Sequence, residues 1–178
     1  MKTIACLFLV GVVAYAADAP PEMPKPVKEH EWLKQLAGDW TGEGECFMEP
    51  GKPLKCSSTE TAKMLGGFWC LTDMKGIFGG LDMNGIMTLG YDPEKKKYVG
   101  TWVDNVSHFK WDYIGTMDAS GKILTLEAEG PNIKVPGKMA KYKDVIEMKS
   151  DKHKIFTSSM QGEDGQWQVC MKSESKKK

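Results

Sequence analysis

The sequence lacks excess charge, paired metal-ligand spacings and any apolar run long enough to span a bilayer comfortably. Lys plus Arg and Asp plus Glu both number 24 in 178 residues, so the formal charge is zero. That balance gives no electrostatic reason to bind nucleic acid or an anionic membrane. No C-x-x-C occurs, which argues against a zinc ribbon or a thioredoxin-type site. There is no G-x-S-x-G elbow, no P-loop and no dinucleotide fingerprint. The histidines His30, His108 and His153 share no metal-ligand spacing with one another or with Cys. No metal and no cofactor is therefore expected.

What is present begins with an export pattern. Lys2 precedes an apolar stretch from Ile4 to Val13, and the small residues Ala14 and Ala16 follow. Residues 1–17 read as a cleaved signal peptide, with an uncleaved anchor as the alternative. The expected location is periplasmic or secreted. Residues 18–28 hold Pro20, Pro21, Pro24 and Pro26 and read as a stiff linker. Trp32, Leu33 and Leu36 share one helical face, so Glu29–Ala37 is expected as a short helix ended by Gly38. Lys176–Lys178 reads as a solvated basic tail.

From Trp40 onward the hydrophobic pattern has period two, as in Leu124/Leu126/Ala128 and Trp167/Val169/Met171. Ten short strands are expected over 40–48, 55–64, 67–75, 85–91, 97–104, 109–117, 122–130, 140–148, 154–161 and 166–172. Turn signals separate them at Asp92-Pro93, Asp118-Ala119-Ser120-Gly121, Ser150-Asp151 and Gly162-Glu163-Asp164-Gly165. The fold class is all-β, an antiparallel up-and-down barrel of about ten strands over residues 29–175. Closure is favoured over a sandwich because it removes both exposed edges. A ten-stranded haem barrel would need an axial histidine on a late strand, and 154–172 contains none.

The residues that carry a family resemblance run through this pattern. Gly38-Asp39-Trp40 closes the helix and opens the first strand, where lipocalin-type barrels place a G-x-W indole across the closed end. It sits within Leu36 to Gly44, followed by Leu89-Gly90-Tyr91-Asp92, Tyr98 to Asp104, and Gly115 to Lys122. Together these resemble the bacterial exported family called domain of unknown function 1579, over roughly residues 31–172. The resemblance implies a calycin-like barrel with no established activity. The chain departs from the family pattern at Gly67, where an arginine is usual, and at Ser173-Glu174-Ser175 in place of a Tyr-x-Arg ending.

Five cysteines become four once Cys6 leaves with the leader. An even count in an exported chain suggests disulfides. Cys46 and Cys56 flank the first hairpin loop, and by exclusion Cys70 would meet Cys170, although four cysteines allow three connectivities.

The most suggestive loop is Gly76 to Gly85, apolar and glycine-rich, which reads either as a lid over the barrel mouth or as a hairpin loop folded on itself. Cavity or lid candidates are Trp69, Ile77, Phe78, Leu81, Met83, Trp102, Trp111 and Trp167. The 12 methionines suit an irregular pocket and a solid core equally. Gly38, Trp40, Tyr91, Asp92 and Asp104 read as structural, the two aspartates as turn formers.

Three functions follow. The first is binding of a small apolar or amphipathic ligand inside the barrel. The second is a structural or protein-interaction role in the cell envelope. The third is an enzyme using Asp92, Asp104 and His108 at the mouth.

Overall fold

The computed structural model describes residues 22–49 and 52–178. The expected signal peptide and the start of the proline-rich linker lie outside them. One helix, α1 (Lys28–Leu33), precedes ten strands: β1 (Gly38–Glu49), β2 (Lys52–Leu65), β3 (Trp69–Phe78), β4 (Leu81–Asp92), β5 (Lys97–Asp104), β6 (Trp111–Met117), β7 (Ile123–Pro131), β8 (Met139–Ser150), β9 (His153–Gln161) and β10 (Trp167–Lys177). Each strand pairs antiparallel with the next, and β1 pairs with β10, so the sheet is a closed barrel. The ten-strand expectation holds in number and order.

The closed end is built by α1 and the floor residue Trp40. Gly38 enters β1 at φ +126°, a conformation that an L side chain would strain. Trp40 is completely buried, and its indole N–H donates to the Leu36 carbonyl at 2.8 Å. Leu33, Leu89, Leu124 and Leu126 pack into the same core. Buried His30 accepts the Val27 N–H on Nδ1 at 3.0 Å and meets Phe68 and Tyr91 edge to face. Trp32 donates to the Gly121 carbonyl at 2.8 Å, tying α1 to the β6–β7 turn.

Four expectations need correction. The helix stops at Leu33, and turns carry the chain to Gly38. The tail expected over 176–178 begins instead as sheet, with Lys176 opposite Thr41 and Lys177 opposite Trp40. Lys177 is kept there by its own contacts: its Nζ donates to the Gln35 carbonyl and lies over the Trp40 ring. The segment 76–85 is neither lid nor long loop. β3 runs to Phe78, β4 starts at Leu81, and only Gly79 and Gly80 turn between them, both at positive φ. Two residues of that hand match the twist of the flanking strands, which is why a tight hairpin forms.

The fourth correction concerns the cysteines. Cys46, Cys56, Cys70 and Cys170 are all free thiols. The β1–β2 register sets Cys46 opposite Leu54 and Cys56 opposite Gly44. The two thiols are therefore diagonal neighbours, at a backbone separation of about 7–8 Å that exceeds the usual disulfide span. Cys70 lies in the closed-end core with Trp40, whereas Cys170 lies one residue from Met171, the partner of Cys46 near the mouth. Cys70 and Cys170 therefore occupy different ends of the barrel.

Candidate binding cavity

Period-two alternation sends one face of every strand inward. On β8 the buried positions are Tyr142, Asp144, Ile146 and Met148, and on β2 they include Cys56 and Ala62, in phase with Glu60. Near the closed end large apolar side chains fill the interior. Above them they do not. A cavity of about 260 Å³ extends from Leu36 to Phe78 and Met83 at the β3–β4 hairpin. Its walls are largely apolar, with Met74, Met87, Trp102, Ile146 and Phe156 among them.

Two polar groupings break that wall. Lys154 Nζ lies 2.6 Å from Glu60 Oε2, with both side chains mostly buried. The same ammonium stands 4.6 Å from the centre of the Trp40 ring, so it joins the floor to the cavity. The second grouping is Asp144, only 7% exposed. Its Oδ2 accepts the Tyr113 hydroxyl at 2.8 Å. Its Oδ1 is buried and has no hydrogen-bond partner among the described residues. Burial pushes the Asp144 carboxyl above the usual carboxylate range, partly offset by Ser158 and Tyr113. Burial also pushes the Tyr113 hydroxyl far up, and the neighbouring Asp144 charge adds to it.

Of the cavity and lid candidates, Phe78, Met83 and Trp102 line the cavity. Trp69, Ile77, Leu81 and Trp167 are exposed and do not. Trp167 lies instead under the Lys143 ammonium, 4.5 Å from its ring centre. Trp111 packs edge to face on Tyr142 and Phe109, beside the cavity and outside its lining. Asp144, Tyr113, Glu60 and Lys154 were not among the sequence candidates. The available signal was a charged residue in the inward phase of an amphipathic strand.

The acid–base set does not assemble. Asp92 accepts the Glu94 and Lys95 N–H groups and ends β4 at the closed end. Asp104 accepts the Val106 N–H and the Trp102 indole N–H at the far end of β5. Asp92 pairs with Lys97, at the opposite end of β5 from Asp104, so the carboxylates stand roughly 20 Å apart. Both accept N–H groups of the turns that follow them, and His108 is exposed. No three His, Cys, Asp or Glu side chains among the described residues form a metal cage.

A model of the family described as protein of unknown function DUF1579 matches residues 25–177. The chain belongs to that family. No curated protein matches the DUF1579 chain. Among solved structures, Rv2717c from M. tuberculosis superposes with a TM-score of 0.61 at 12% identity, over 86% of this chain and 99% of that one. The S-type phycobiliprotein lyase CPES from Guillardia theta gives 0.56 at 12% identity, over 85% and 93%. At such identities the likeness is one of fold. No helix among the described residues of this DUF1579 member is long and apolar enough to cross a membrane.

Proposed function

We propose that the protein is a binding module that holds a small amphipathic molecule inside the barrel. The observation that carries this reading is the cavity of about 260 Å³, apolar in most of its wall and furnished with Glu60, Lys154 and Asp144. Apolar concavities with a few convergent polar groups are the usual form of small-molecule sites. A dry engineered cavity of about 150 Å³ takes benzene, so this one suits a ligand of about ten non-hydrogen atoms. The shared barrel of the phycobiliprotein lyase is compatible with such a role. Native mass spectrometry of protein purified from its own host tests it. A stoichiometric small molecule that disappears in a Met87→Trp variant, whose indole fills the cavity, is expected. Retention of that molecule by the filled variant would place it outside the barrel and overturn the reading.

A second reading, an interaction domain, draws on the exposed Leu54, Ile77 and Leu81 on two adjacent mouth hairpins. Export is likewise proposed, on the residue 1–17 pattern, and the N-terminal sequence of the mature protein tests it.

A further inference from the structure

Resting on the binding reading above, we propose that the ligand is a compact protonated amine, its ammonium held by the Asp144 carboxyl and its carbon body against Trp102, Phe78 and the methionines. The charges of the cavity lead there. Among its lining residues the carboxyl groups are Glu60 and Asp144, and the one lysine is Lys154. Lys154 is taken, 2.6 Å from Glu60. Asp144 therefore has no counter-ion, although the residue is more than nine-tenths buried and lines the cavity. A buried carboxylate without a counter-ion is costly. A cationic N–H donor entering the cavity supplies the missing charge.

The rest of the wall fits the same chemistry. Trp102, Phe78 and Phe156 offer aromatic faces, which attract an ammonium and the polarised carbons beside it. Tyr113 fixes Asp144 through Oδ2, so the carboxyl is held in place before a ligand arrives. An organic acid meets the reverse situation. It would face two carboxyl groups and a lysine already paired.

The test compares 2-phenylethylamine with propylbenzene, benzylacetone and 3-phenylpropanoic acid, each titrated into the full-length protein by NMR and calorimetry at neutral pH. The amine is expected to bind at least about tenfold more tightly than propylbenzene, the factor for a hydrogen bond to a charged group. The acid is expected to be the weakest. In Asp144→Asn the amine falls to the level of propylbenzene, while propylbenzene itself is unchanged. If propylbenzene or benzylacetone equals the amine in the wild type, the cavity binds ligands but the amine assignment is wrong. If none of the four enters the barrel, the binding reading fails together with it. Should Asp144→Asn not fold, the wild-type ranking alone decides the matter.

Discussion

Tyr113 and Asp144 meet across β7, the strand that separates theirs, with the phenol donating to Oδ2 at 2.8 Å inside the barrel. Neither group is solvated, so the contact is a local commitment of the fold. Removing one partner strands the other.

Tyr113→Phe should therefore destabilise the protein by about 1–3 kcal/mol, the cost of an orphaned buried polar group. Tyr113→Phe combined with Asp144→Leu should recover part of that loss, because the carboxyl goes with the phenol and only the Ser158 hydroxyl loses a partner. Urea unfolding of the single and double variants measures both.

The pH dependence of Asp144 has a definite sign. Its folded pKa is raised by burial, so the native state holds a proton that the unfolded chain has released. Its contribution therefore falls as pH rises above the ordinary carboxylate value toward the raised one. Asp144→Asn should flatten that part of the stability profile. Asp118 acts in the opposite sense. The Ser120 hydroxyl, then the Ile123 N–H, hold it at about 2. Its contribution is complete above the ordinary value and is lost as pH falls toward about 2. Chemical denaturation across pH 2–8 with Asp144→Asn and Asp118→Asn separates the two slopes.

Gly85→Ala should move Trp102. A Cβ at that position would lie 2.2 Å from the indole ring. The ring must shift into the cavity it lines, at an overpacking cost of about 1–3 kcal/mol. Near-ultraviolet circular dichroism should report the displaced tryptophan, and propylbenzene binding should weaken in the same variant.

The four thiols should all be titratable after unfolding without reductant. In the native protein Cys46 should resist, because burial and then the adjacent Cys56 push it up to about 12. Thiol titration before and after denaturation checks both statements. A native disulfide would show as two missing thiols.

The barrel was legible because its signals are local. Asp92 and Asp118 mark turns by their side-chain hydrogen bonds, Gly165 marks one by its positive φ, and Gly38-Asp39-Trp40 marks the floor. The Gly76–Gly85 hairpin was hidden because exposed Ile77 is apolar on the outer face beside inward Phe78, which erases the alternation that announces a strand. Cys46 and Cys56 lie on neighbouring strands, yet a two-residue offset in register decides whether they can bond, and Cys70 and Cys170 lie on strands that do not pair. Asp144 carries a signal of its own: it occupies the inward phase between Tyr142 and Ile146. Its pairing with Tyr113 depends on strand order in three dimensions, and no local pattern states it.

The seam between β1 and β10 joins the first strand to the last, with Trp40 opposite Lys177. During synthesis β1 has no partner on that side until β10 emerges, so an unpaired edge stays on offer to other chains throughout. Loss of β10 would turn a container into an open sheet with edges at β1 and β9. The enclosure of the cavity and the aggregation risk of the nascent chain are thus set by a single ladder, and by how quickly its distant halves find each other.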